Sequence, residues 1–504
     1  MTADDGAVFG DAVRGALEAA RTADDAQSGY VSPLADRYAS PQMLRLWSPR
    51  VRHGIWRRIW LALAEAERDL GADIPAAAIA EMRAHLDDID FAVVRSHERR
   101  FRHDVMAHVH AFADVAPAAR RVIHLGATSA DITDNADLMQ MREGLRELRR
   151  QVHRVLRVLA TFAKRWRAEP TLGYTHLQPA QLTTVGKRAT LWMQDLVLDL
   201  RELDQSIDTM PFRGIKGTTG TQGSFLELFN GDHERVRELD RRVSAAMGFA
   251  ESLAVTGQTY SRKLDARALS VVAGITASAA KFSGDIRLLQ SFGEIEEPFA
   301  DEQIGSSAMA YKRNPMRSER IAALARFVQS LEPNANQTHS VQYFERTLDD
   351  SANRRLALPE SFLAADAILV LMANVAGGLE VHTSRIRQRV QEELPFMATE
   401  ELILHAVRRG GDRQTAHETI RRHSLAAAQA LKEGAARNDM LDRLAADPAF
   451  PMSTEDLRRV PLDASRFVGR APEQVDEFVR DVVEPILGTH DDRLSTDTLA
   501  EVRV

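Results

Sequence analysis

A chain of 504 residues with 44% apolar and 27% charged residues has an ordinary globular balance. It is too long for one compact core and reads as several domains or an elongated bundle. A net charge of −7 argues against nucleic acid as the main partner, and the lack of cysteine excludes disulfides and thiolate metal sites. No run of about 18 apolar residues stands out, so no membrane span is expected; a cysteine-free chain of this kind fits a cytoplasmic setting.

Residues 1–30 are acidic and Ala-rich and lack the basic start and apolar stretch of a signal peptide. They read as a tail with one short helix. Residues 31–128 read as shorter helices, 129–381 as a domain of long helices, and 382–504 as shorter helices again, the last near 473–487. The clearest periodicity lies in 142–168, where Leu145, Leu148, Val152, Val155, Leu159, Phe162 and Trp166 alternate spacings of three and four. That is a coiled-coil-like seam on a long helix. The arginines between them read as a solvated outer face rather than an RNA surface. Further helices are expected at 184–210, 264–291 and 357–390. Another, at 315–332, repeats through Ile321, Leu324, Ala325, Val328 and Leu331, with Asn314 as N-cap and Pro315 as first helical residue. No long strand alternation and no internal repeat is present, so the fold class is all-α, with helices packed lengthwise. Seams on helices this long need partners, which points to a homo-oligomer.

Polar islands interrupt this pattern: RYAS (37–40), RHDVMAHVH (102–110), HLGATSADITDN (124–135), GYTHLQPAQLTTVGKR (173–188), RGIKGTTGTQGS (213–224), TGQTY (256–260), GSSAMAYKRNPMRSER (305–320) and FERTLDDSANRR (344–355). They supply many donors for anionic oxygens. Only seven of the 65 basic residues are lysine, so Lys187, Lys216, Lys263 and Lys312, all in unusual local sequence, stand out.

Several chemistries fail on spacing. His103, His108 and His110 cluster, but i and i+2 on a helix face apart and no HExxH occurs, so no metal is expected. GIKGTTGTQGS is not GxxxxGK[ST] and follows no strand, which excludes a Walker-type cradle. GSSAM lacks the GxSxG of a serine hydrolase.

GSSAMAYKRNP resembles the GSSxMPxKxNP signature of the fumarase/aspartase superfamily, and the islands in order and spacing resemble its adenylosuccinate lyase branch, from about Ser32 to about residue 490. The resemblance implies a three-domain all-α fold, a tetramer whose sites draw on three subunits, and no cofactor. It implies a nucleotide substrate, and β-elimination of fumarate from adenylosuccinate or from the succinyl-carboxamide imidazole ribotide of purine synthesis. Such a reaction needs a base for a weakly acidic C–H, an acid for the leaving nitrogen, and donors where carboxylate charge grows.

By resemblance Ser306 is the base, with the adjacent Ser307 as alternative, and His176 is the acid. A serine deprotonated beside Lys312, near the N-terminus of the following helix, is a far better base than a free one. Thr128, Ser129, Gln258, Lys312 and Asn314 resemble the set that holds the succinyl carboxylates. Arg102, His103 and Asp104 resemble the nucleotide side, with His103 orienting the acid. Arg37, Tyr38, Arg346, Ser351 and Arg355 resemble the phosphate end, where forked guanidiniums fit, and Arg320 a nucleotide contact. For Arg354 the competing reading is surface ion pairing with Asp349 and Asp350; His124 is a weaker candidate. The chain departs from the signature at Ala310, where the superfamily has proline, which leaves the loop less constrained.

Overall fold

The computed structural model describes residues 29–458 and 463–488; the short helix expected in the N-terminal tail lies outside them. The N-terminal part holds α1 (Pro41–Leu46), α2 (Pro49–Asp69), α3 (Ala76–Ala84), α4 (Phe91–Phe101) and α5 (Asp104–Val115). The middle holds α6 (Ser129–Arg165), a hairpin of β1 (Pro170–Thr175) and β2 (Gln178–Thr184), α7 (Val185–Asp208), α8 (Gly223–Leu228), α9 (His233–Ala246), α10 (Lys263–Ser291), β3 (Ile295–Glu296), α11 (Met316–Ser340), α12 (Asp349–Gly378) and β4 (Glu380–Val381). The rest is α13 (Thr383–Met397), α14 (Thr399–Arg408), α15 (Arg413–Lys432), α16 (Met440–Ala445), α17 (Thr454–Arg458), α18 (Ala471–Phe478), a π-turn over Val479–Val483 and α19 (Glu484–Gly488).

Helices α6, α7, α10, α11 and α12 pack against one another as the central bundle. The 3–4 periodicity explains α6. Leu145, Leu148, Val152, Val155 and Leu159 are fully buried, each contributing about 1.5–3 kcal/mol of apolar burial. The helix starts at Ser129, more than four turns before the first seam residue Leu145, because Asp131 Oδ2 accepts the Thr128 N–H at 2.8 Å and anchors the first turn. One apolar core runs through the bundle and takes in Met43 of α1 and Val475 of α18. A second lies between α2, α3 and α5, a third brings α2 against α8 and α9, and a fourth belongs to α14–α17.

Three expectations need correction. The stretch 357–390 is not one helix: α12 begins at Asp349 and ends at Gly378, and the chain turns so that β4 pairs with β3, Glu296 opposite Glu380. Gly378 sits against Pro298, where a Cβ would come within 2.5 Å, so the break is built into close packing. At α11 the N-cap is Pro315 and not Asn314, and Met316 is the first helical residue. The Asn314 amide instead donates to the Gly305 carbonyl at 2.6 Å and leaves the helix end to the backbone. Third, α12 is long and apolar enough by composition to cross a membrane, yet 78% of its most apolar window is buried inside the bundle. The island 173–188 also contains structure that its sequence pattern hid: THLQPAQLTT is the tip and return strand of the β1–β2 hairpin.

Candidate active site

One cavity of about 720 Å³ opens where α5, α6, α10 and α12 meet, within the size range of ligand pockets. Nine of the expected site residues line it: Arg102, His103, Asp104, Thr128, Ser129, Gln258, Arg346, Ser351 and Arg355. They come from four islands far apart in sequence. Each is held locally. Arg102 ends α4 in the left-handed region (φ 56°), and His103 caps α5, its Nδ1 accepting the Met106 N–H at 3.4 Å. Asp104 receives Arg355 Nη2 at 2.7 Å, which ties α5 to α12. Burial opposes charge on Asp104, but the Val105 N–H and Arg355 outweigh it and hold the carboxyl below its ordinary range.

Behind these residues lies a buried charge network. Arg213, wholly buried, pairs with Asp131 and donates to the carbonyls of Gly214 (3.0 Å), Gly217 (3.3 Å), Gly257 (3.3 Å) and Gln258 (2.5 Å). Asp131 also accepts the Lys216 N–H at 2.8 Å and the Gly217 N–H, while Asn135 holds the Arg213 N–H at 2.8 Å. Glycine is required at 220 and 257: a Cβ would lie 1.8 Å from the Thr256 carbonyl and 2.6 Å from the Glu345 carbonyl, respectively. Thus RGIKGTTGTQGS is a buckle joining the start of α6, which carries Thr128 and Ser129, to the segment that carries Gln258. Lys216 belongs to it and pairs with Asp240 at 2.7 Å.

The back wall adds Asp134, held bidentately by Arg262 at 3.0 and 3.2 Å, and Arg262 reaches Asp350 at 2.7 Å. Arg354 is buried in this wall. It contacts Asp265 (2.7 Å), the Tyr260 hydroxyl (2.5 Å) and Asp137 (3.0 Å), so its ion pairing is structural but not with Asp349 or Asp350. Burial disfavours the Asp134 charge, and Arg262 and Arg354 overcome that and lower its pKa. Arg52, Trp56, Glu98, Asp134, Asp137 and Arg262 line the cavity without having been singled out from sequence. The one available signal was ADITDN, whose acids recur at helical spacing inside a polar island. Below Trp56, His53 and His108 stack at 3.9 Å between ring centroids. Burial first, then neighbouring positive groups, push His53 down to about 3 and His108 to about 4, so both rings are neutral. His110 stacks instead on Phe101, and His124 accepts from Trp60 Nε1 at 3.0 Å; neither lines the cavity.

The remaining candidates lie elsewhere on the chain. Arg37 and Tyr38 are the last residues of a π-turn over Leu34–Tyr38, Arg320 of α11 stacks over the Tyr38 ring at 5.2 Å, and Asp366 of α12 fixes the segment by accepting the Ser40 N–H at 2.6 Å. His176 sits exposed at the hairpin tip. His176 and Leu177 have φ of 54° and 57°, a turn that usually takes Asn-Gly and that strains other residues by about 1–3 kcal/mol each. Ser306, Ser307 and Lys312 occupy an exposed loop. The Ser306 hydroxyl accepts from the N–H groups of Ala308 (3.3 Å) and Met309 (3.1 Å), not from Lys312. The loop closes on itself at its neck, where Asn314 holds Gly305 and a Cβ on Gly305 would lie 2.0 Å from the Lys312 carbonyl. Arg313 pins it below, 3.3 Å from both Glu296 and Glu380. Those two acids with His382 bring ligand atoms within 4.8 Å of one another, but a guanidinium already serves the carboxylates.

A sequence model described as Lyase matches residues 38–330, and one described as Adenylosuccinate lyase C-terminus matches 395–478. The adenylosuccinate lyase of Saccharomyces cerevisiae is 49% identical over 90% of this chain and 94% of its own. That of Schizosaccharomyces pombe is 49% identical over 91% and 95%. Among solved structures, the 3-carboxy-cis,cis-muconate lactonizing enzyme of Pseudomonas putida covers 90% of this chain and 99% of its own at a TM-score of 0.77 with 21% identity. A fumarate lyase from Mesorhizobium sp. BNC1 gives 0.75 at 24% identity. These two establish the fold alone.

Proposed function

We infer the chemistry from one premise: the chain belongs to the adenylosuccinate lyase family. It is a carbon–nitrogen lyase that releases fumarate from adenylosuccinate to give AMP, and from the succinyl-carboxamide ribotide to give the aminoimidazole carboxamide ribotide, in purine nucleotide biosynthesis. The observation that carries the residue-level reading is the cavity that gathers nine site candidates from four islands around fixed donors.

The substrate carries a phosphate and two succinyl carboxylates, and the cavity lining offers both guanidiniums, from Arg102, Arg346 and Arg355, and neutral donors, from Thr128, Ser129 and Gln258. We assign the hydroxyls and amide to the succinyl carboxylates and the guanidiniums to the nucleotide side. Because the Asp131–Arg213 buckle fixes Thr128, Ser129 and Gln258 before substrate arrives, the donors need no reorganisation as carboxylate charge grows. Ser306 takes the proton from the carbon beside a carboxylate. The C–N bond breaks as the C=C bond of fumarate forms, and His176 delivers a proton to the departing nitrogen. Lys312 supports the serine's negative charge once the loop closes.

His176, Ser306, Lys312, Asn314, Arg37, Tyr38 and Arg320 do not line the cavity of their own chain. We propose that other subunits of a homotetramer bring them to it, His176 on the strained hairpin tip and Ser306 on the loop, in the cytoplasm. The direct test is purified, folded oligomer with adenylosuccinate, following fumarate release; the reading is falsified if none appears.

A further inference from the structure

Helix α4 carries a charged face of which the reaction uses only the Arg102 end. Arg95, Glu98, Arg99 and Arg102 stand at positions i, i+3, i+4 and i+7 and together line a groove of about 420 Å³. Glu98 and Arg102 also line the 720 Å³ cavity, so groove and cavity share a rim. All four residues are exposed. Some exposed helical arginines of this protein close onto acids one turn away: on α9, Arg241 holds Glu238 at 2.6 Å, and Arg237 holds Glu234. On α4, among the described residues, Arg95, Arg99 and Arg102 have no carboxylate within ion-pair distance. The nearby Asp114 of α5 is taken by His97 (2.7 Å) and Arg120 (3.0 Å). Glu98 offsets one charge of three, so the face stays cationic.

We propose that Arg95 and Arg99 form an outer docking site for the phosphate end of the substrate, which passes from there along Arg102 into the cavity. The proposal rests on the reaction given above. Its physical need is plain: the chain bears a net charge of −7, and the substrate, with a phosphate and two carboxylates, is repelled by it at long range. A positive face at the mouth reverses the field locally and raises the encounter rate. Planar guanidiniums suit a phosphate monoester, and their spacing along one helix face lets it be handed from one to the next.

The test is steady-state turnover of adenylosuccinate by the intact oligomer of wild type and of the double variant Arg95→Gln/Arg99→Gln, in NaCl from about 0.01 M to about 1 M. That range shortens the screening length from about 30 Å to about 3 Å. The variant's kcat/KM falls about tenfold at low salt and meets the wild type at high salt, while kcat is unchanged. A charge-matched control, Arg408→Gln/Arg413→Gln in the C-terminal part, keeps the wild-type salt slope. The proposal is overturned if the variant follows the wild type at every salt concentration, if kcat drops in step with kcat/KM regardless of salt, or if the control loses as much. A wild type that releases no fumarate overturns the reaction instead.

Discussion

Two regions that serve one reaction are built in opposite ways. The cavity wall is knitted: Asp131, Asp134, Arg213, Arg262 and Arg354 are buried, and each makes hydrogen bonds to one or more neighbouring segments. The serine loop is open: among the described residues Ser306 bonds only to its own turn, Lys312 is exposed, and Tyr311 and Ile304 are 85% and 80% exposed. The difference shows which groups must be in place before substrate binds and which must arrive. Carboxylate donors work best preorganised, whereas a base that sealed the site permanently would block entry and release.

The largest expected effects lie on the arriving side. His176→Ala and Ser306→Ala each lose several orders of magnitude in fumarate release, within or beyond the range of about 10²–10⁴ that a positioned acid or base supplies. A variant within tenfold of wild type removes that residue from its role, and with it the idea that the open region carries the chemistry.

On the knitted side the loss is first one of stability. Arg213→Ala leaves Asp131 buried without its charged partner and costs about 3–5 kcal/mol, read as a lower urea midpoint. A shift below about 1 kcal/mol would mean that the buckle is no firmer than a surface pair. Acid probes the same wall. Asp134 has its pKa lowered by Arg262 and Arg354, so its contribution is complete above the ordinary value of 3.8 and is lost as pH falls below it. Denaturation midpoints should therefore drop more steeply below that pH in wild type than in Asp134→Asn. Parallel curves would show that the wall does not depend on that charge.

The smallest effect sharpens the contrast from the loop side. Ala310→Pro restricts the unfolded and open loop by under about 1 kcal/mol and slows amide exchange in residues 300–314 without changing exchange at 131–135. Unchanged exchange and turnover would show that Ala310 does not set the loop's freedom.

Legibility in the sequence follows the same division. The α6 seam was readable because one apolar stripe decides one helix, and the polar islands were readable because they break such stripes. The hairpin was hidden because its tip, His176–Leu177, lacks the Asn-Gly that normally marks such a turn. The roles of Asp134, Arg213 and Arg262 were hidden because an arginine within a polar island has the same spelling whether it meets substrate or spans a buried gap to an aspartate more than 80 residues away. The break at Gly378 was invisible because its cause, Pro298, is distant in sequence.

The central claim is that one chain supplies the knitted wall, a second the acid and a third the base. Mixing the two inactive oligomers, His176→Ala and Ser306→Ala, under conditions of subunit exchange tests it most directly. The account predicts that fumarate release returns in the mixture, since hybrid oligomers contain sites with both residues intact. A mixture as inactive as its components, with exchange verified, would contradict it.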